Sequence, residues 1–198
     1  RTAPADEVGG DFYDFFTAPP GQLWMCIGDV SGKGVPAALL MAVTKTLIKS
    51  FASQGGSPGE VLTQVNAELS SDNDSAMFVT AFVARLDLRS GELRYSNAGH
   101  NPPLVRRTGP RIDRYDTRHG PVLGALEAAT YSESVDQLAP GDTLLLFTDG
   151  VTEALDAGEQ LFTEARLRET LLKAGAPSAH RLAGTVVSAV ESFAAGTE

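Results

Sequence analysis

The chain has 198 residues, 42% of them hydrophobic and 21% charged, which suits one folded domain and excludes wholesale disorder. Lys+Arg 16 against Asp+Glu 25 leaves a net charge of -9, which argues against a nucleic-acid or anionic-membrane binder. The single Cys26 excludes an intrachain disulfide and a thiolate metal cluster, and its place in the apolar run Leu23–Ile27 reads as a buried, inert thiol.

Leu23–Val30 is a short apolar run that ends in an aspartate and a Ser-Gly-Lys-Gly turn, so it predicts a buried strand. Pro36 opens a helix whose apolar positions Leu39, Leu40, Val43, Leu47, Ile48 and Phe51 keep helical spacing up to Gly55-Gly56. Pro58–Leu69 is a second helix, with Ser57 and Glu60 in a capping-box pattern. Strands follow at Met77–Leu88 and Glu92–Ala98, joined by an Arg89-Ser90-Gly91 turn. Pro103–Arg107 and Arg111–Tyr115 form a hairpin around Gly109-Pro110. Tyr131–Leu138 alternates and leads into the nearly continuous apolar strand Thr143–Thr148. Helices over Thr163–Lys173 and Ser178–Phe193 close the chain, giving an α+β class. No stretch reads as the ~20 apolar residues that span a bilayer, and no signal peptide is recognised, so a soluble, cytoplasmic protein is expected.

Asp29 and Asp149 each follow an apolar strand and precede a glycine-bearing turn, and Asp11 lies in the glycine-rich Gly9–Asp14. A carboxylate at a buried strand end is costly unless a positive partner meets it, and glycine beside it allows close approach. Hard oxygen donors with few histidines and one cysteine suit Mg²⁺ or Mn²⁺ better than zinc. Taken one by one, the same aspartates also read as turn formers or helix caps.

The ordered series GGDFYD (Gly9–Asp14), GDVSGKG (Gly28–Gly34), MFVT (Met77–Thr80), NAGHNPP (Asn97–Pro103) and TDGVTE (Thr148–Glu153) resembles the SpoIIE/RsbU branch of the PPM-type metal-dependent protein serine/threonine phosphatases. The similarity runs over nearly the whole chain. It implies a four-layer αββα sandwich of two antiparallel sheets flanked by helices, with two Mn²⁺ or Mg²⁺ ions in a cleft. By resemblance Asp29 bridges both ions, the Val30 carbonyl completes one coordination shell, Asp149 binds the second ion, and Asp11 binds directly or through a water. The implied chemistry is hydrolysis of phosphoserine or phosphothreonine by a water held between the ions. The implied substrate is a phosphorylated STAS-type anti-sigma-factor antagonist in bacterial partner switching, with a sensory domain upstream in the full-length protein.

Cys26 has no phosphate-binding loop after it, which argues against a cysteine-dependent phosphatase. His100 reads as structural, at a strand exit into a proline-fixed loop, and Lys33 as a solvated turn residue. Asp14 reads as a local turn or supporting residue, Glu153 as an early helix position, and Trp24 and the methionines as core. Residues 1–198 are expected to form a single domain trimmed at both ends. Arg1–Val8 resembles the tail of a first strand, and the family's last Asp-Asp metal motif and terminal strand are lacking. Weak metal occupancy is the corresponding expectation. A catalytically silent docking module and a nucleotidyl cyclase are the competing classes; three aspartates argue against the first, and the acidic composition against the second.

Overall fold

The computed structural model describes residues 9–71, 76–175 and 177–195. In chain order these form β1 (Phe12–Thr17), β2 (Gln22–Val30), α1 (Gly34–Ser53), α2 (Pro58–Ser70), β3 (Val79–Asp87), β4 (Glu92–Ala98), β5 (Leu104–Arg106), β6 (Ile112–Arg114), β7 (Ser134–Gln137), β8 (Thr143–Leu145), α3 (Asp149–Thr152), α4 (Thr163–Lys173) and α5 (Ala179–Ala194). Among the described residues these strands pair antiparallel, in one sheet of order β1-β2-β3-β4-β7 and another of order β6-β5-β8. The expected α+β class with two antiparallel sheets and helices is therefore what the chain adopts. The expected strand tail at Arg1–Val8 and the terminal Gly196–Glu198 lie outside the described residues.

The chain divides into two compact units. The first comprises Arg1–His100 and Thr117–Leu138 and contains the five-stranded sheet with α1 and α2. One face of β2 sends Trp24, Cys26 and Val30 into a core with Ile48 and Ala52 of α1, Val61, Leu62 and Val65 of α2, and Val79, Ala81 and Val83 of β3. Strand alternation explains the set, because every second residue of a strand shares a face. Burial pushes the Cys26 thiol up to about 12, so the inert reading of this residue stands.

Four expectations change on contact with the structure. β1 was not foreseen: Phe12–Thr17 reads as polar and aromatic without a continuous apolar run, because only Phe12 is fully buried. α1 begins at Gly34 rather than Pro36, and Leu39 and Val43 are exposed although they fit the helical pattern. Small or short side chains at Ala37, Thr44 and Ala52 take the buried face instead, which lets the helix lie close to the sheet. Strand Thr143–Thr148 is only three residues long as β8. Finally, although no such stretch is expected, α1 is long and apolar enough to cross a membrane by length and composition. Here its inner face packs in the core, and Lys45 lies 3.9 Å from Asp14 of β1.

The capping box of α2 is present: Ser57 Oγ accepts from the Glu60 amide, and Glu60 Oε2 accepts from the Ser57 amide at 2.7 Å. The Arg89–Gly91 turn is closed by Asp87, whose carboxylate accepts from the Arg89 and Ser90 amides at 2.9 and 2.8 Å. In the second unit, comprising Asn101–Asp116 and Ala139–Glu198, Leu104 and Leu145 of the small sheet pack with Leu167 and Leu171 of α4 and Leu182 and Val186 of α5. The predicted hairpin around Gly109-Pro110 is β5–β6, with Asp142 and Asp113 both bound by Arg107 at 3.1 and 2.8 Å.

Asn66 is fully buried on α2 and fastens the 124–131 loop. Its amide donates to the Leu126 carbonyl at 2.9 Å, and its carbonyl accepts from the Gly124 amide at 3.0 Å and the Tyr131 hydroxyl at 3.3 Å. Asn66→Leu keeps the branched outline of the side chain but strands these groups, so it should lower unfolding stability by about 3 kcal/mol. A urea transition checks this; a midpoint within error of the wild type would show the clamp to be dispensable.

Candidate metal centre

The register of β1 and β2 ends with Phe12 opposite Gly28. Gly10 and Asp11 lead into β1 from there, and Gly10 lies against the end of β2 that carries Asp29 and Val30. The close approach continues there: a Cβ added to Gly10 would stand 2.9 Å from the Val30 carbonyl oxygen and 3.2 Å from Asp29 Oδ1. The carboxylates here are Asp29, which alternation along β2 turns away from the side where Val30 packs on α1 and α2, and Asp11, the residue before β1. Both are half-buried. Like charges brought close repel, and a cation between them removes the penalty.

Gly28 is what lets β1 sit this close. A Cβ there would meet the Phe12 ring and the Thr80 carbonyl oxygen, each at 2.6 Å. No β-carbon fits, so the aromatic ring lies directly on the strand that carries Asp29.

On the other side of β2, Asp29 is paired with Thr80 of β3. The turn after Asp29 is tied to the same strand by Ser31, whose amide donates to the Phe78 carbonyl at 2.9 Å and whose hydroxyl accepts from the Phe78 amide at 2.8 Å. Thr80 Oγ1 lies 3.0 Å from His100 Nδ1 and 3.4 Å from the Asp29 carbonyl oxygen. Asn97 in turn holds the His100 backbone: its carbonyl oxygen accepts from the His100 amide at 2.7 Å and its amide donates to the His100 carbonyl at 3.1 Å. Three of the quoted motifs, GDVSGKG, MFVT and NAGHNPP, are thereby interlocked.

His119, which no motif singled out, supports this loop from behind. Its Nδ1 accepts from the Asn97 amide at 3.0 Å, its own amide donates to the Asn97 carbonyl at 2.9 Å, and Nε2 meets Ser134 Oγ at 2.8 Å. An accepting Nδ1 puts the proton on Nε2, so the ring is neutral and donates to Ser134. The only sequence signal for His119 was its position before a Gly-Pro pair.

The remaining candidates fall as follows. Asp149 does not end a strand; it is exposed and opens the one-turn α3, where a carboxylate suits the helix dipole. Glu153 closes that turn rather than opening it, with its amide donating to the Asp149 carbonyl at 2.7 Å. Asp14 lies within β1, on the α1 side with Lys45, and is not a turn residue. Lys33 is exposed at the N-cap of α1. His100 is buried, in agreement with a structural reading. Trp24 is core, whereas Met41 and Met77 are partly buried at its edge.

Among the described residues, no three His, Cys, Asp or Glu side chains are gathered as a metal group. The candidate donors are Asp11, Asp29 and the Val30 carbonyl, all hard oxygens, with Gly10 packed so closely on Asp29 and Val30 that any side chain there would fill the approach. That donor set fits Mg²⁺ or Mn²⁺.

The family model described as Stage II sporulation protein E (SpoIIE) matches residues 19–198. Protein IcfG of Synechocystis sp. is 33% identical over 195 residues, covering 85% of this chain and 31% of that protein. Phosphoserine phosphatase RsbU of Bacillus subtilis is 33% identical over 152 residues, covering 77% of this chain and 45% of that protein. The chain thus spans less than half the length of these curated relatives. The SiaA-PP2C domain of Pseudomonas aeruginosa superposes with a TM-score of 0.86 at 22% identity, over 98% of this chain and 78% of that one, and so shares the fold.

Burial holds the His119 imidazole below its ordinary value of 6.5, against an opposing pull from Glu133. A base depressed in the folded state contributes stability that is full above the unfolded value and is lost as pH falls through the folded one. The stability advantage of the wild type over His119→Asn should therefore be largest above about pH 7 and shrink from about 6.5 downward. Melting curves of the two proteins between about pH 8 and 5 test this; a constant difference would mean that His119 does not titrate on unfolding.

Proposed function

The chain belongs to the SpoIIE family, and from that premise we propose that it is a metal-dependent protein serine/threonine phosphatase. The observation that carries the proposal is the packing at the end of β2: Gly10 lies against the Val30 carbonyl oxygen and Asp29 Oδ1, with Asp11 next to it in the chain. Hard oxygen donors in that setting suit a divalent ion. Asp11, Asp29 and the Val30 carbonyl would hold it. Asp149 enters the proposal through its motif, as an exposed carboxylate at the head of α3.

Two divalent cations, when bound, supply Lewis acidity to phosphate oxygens and bring a water into the neutral range as a nucleophile. The chain's own part is positional. Asp29 is paired with Thr80 of β3, and Ser31 pins the turn that follows it. Cys26 stays out of the chemistry because its thiol is buried and held protonated.

The proposed substrate is a phosphoserine or phosphothreonine on a small regulatory protein of the STAS type, within a bacterial partner-switching pathway. The relative RsbU, named a phosphoserine phosphatase, supports the reaction class. A net charge of -9 suits a partner whose docking face is neutral or basic.

Hydrolysis of an aryl phosphate by the full natural polypeptide, with Mn²⁺ and with chelator, tests the reading. Turnover should depend on Mn²⁺. Asp29→Asn should reduce it by more than the ~10–100-fold that loss of an outer partner of a metal site costs. Turnover that survives both chelator and Asp29→Asn would refute the assignment.

A further inference from the structure

Across the sheet Asp29 is paired with Thr80 of β3, whose side chain ends in a hydroxyl. That hydroxyl has a single proton and two contacts. His100 Nδ1 lies at 3.0 Å and the Asp29 carbonyl oxygen at 3.4 Å, so the contact with the histidine is the firmer one. If the hydroxyl proton goes to the Asp29 carbonyl, His100 must donate from Nδ1.

His100 cannot drift. It is buried, and both its backbone polar groups are taken by the Asn97 side chain. Asn97 is itself buried, with its own amide and carbonyl both bonded to His119. The sequence of contacts therefore runs from a rigid buried loop, through His100 and the Thr80 hydroxyl, to the backbone of the residue that carries the candidate metal carboxylate. A solvated strand-end threonine would need none of this.

We infer that Thr80 is a positioning residue for the cation site: its hydroxyl joins the His100 loop to the strand end that carries Asp29 and the Val30 carbonyl. The inference rests on the phosphatase reading above and deepens it. Neither Thr80 nor His100 touches the reacting atoms in this role. Their effect is to hold the angle at which the carboxylate and the carbonyl are presented, as outer partners do around metal ligands in general.

Thr80→Val removes the hydroxyl while keeping the branched shape that suits a strand, and Thr80→Ser restores the hydroxyl alone. Calorimetric titration with Mn²⁺ of the full natural polypeptide reads the site without requiring turnover. Thr80→Val should weaken Mn²⁺ binding by about 10-fold, and Thr80→Ser should return it close to the wild type. KM for an aryl phosphate at saturating Mn²⁺ should stay unchanged. His100→Gln tests the same link from the loop end, should Thr80→Val fold poorly, and is expected to weaken Mn²⁺ binding in the same sense.

Wild-type Mn²⁺ affinity in Thr80→Val overturns the inference. Equal weakening in Thr80→Val and Thr80→Ser also overturns it, since the hydroxyl would then not be the cause. Asp29→Asn separates the two levels of argument. If the wild type and Asp29→Asn take up Mn²⁺ alike, the metal reading itself fails and the role of Thr80 falls with it. If Asp29→Asn abolishes binding and Thr80→Val leaves it intact, only the positioning role is lost.

Discussion

The packing of Phe12 and Gly10 against the end of β2 is the constraint on which the candidate site depends. It sets the residue between them, Asp11, near the strand end that carries Asp29 and the Val30 carbonyl. Phe12 provides the anchor: its ring is buried over Gly28 and leaves no space for a β-carbon. The α1/α2 core on one face of β2 thus fixes what the chain presents at the strand end.

The opposite flank of β2 shows the same economy of parts. Ser31 saturates both backbone groups of Phe78, Thr80 links strand to loop, and Asn97 saturates both backbone groups of His100. Around Asn97 and His100, both buried, these bonds satisfy polar groups that would otherwise be buried without partners. Taken together they convert three separated stretches of sequence into one rigid rim beside Asp29. The short residues in the motifs therefore have geometric work, and the aspartates have the chemical one.

Much of this was legible from the residues alone. Alternation and turn chemistry located β2, β3, β4 and the β5–β6 hairpin, and the Ser57/Glu60 pair located the start of α2. Strand-end placement next to glycine singled out Asp29, and the glycine-rich setting singled out Asp11. β1 was not legible, because an edge strand with one buried face and aromatic residues on both carries no clean period. Leu39 and Val43 misled for a related reason: helical spacing identifies a stripe, but close packing favoured alanine and threonine over leucine. Asp149 looked like a strand terminus because the apolar run before it continues past the last β8 residue into a loop. His119 escaped entirely, since its importance lies in a contact 22 residues away, with the Asn97 amide.

The central claim is that Asp11, Asp29 and the Val30 carbonyl hold a divalent ion. Crystals grown with Mn²⁺ and measured at a wavelength where manganese scatters anomalously give the most direct answer. The account predicts an anomalous peak bonded to the Asp29 carboxylate and the Val30 carbonyl, with Asp11 bound directly or through one water. A fully occupied manganese site elsewhere, with Asp11 and Asp29 left unmetallated, would contradict it.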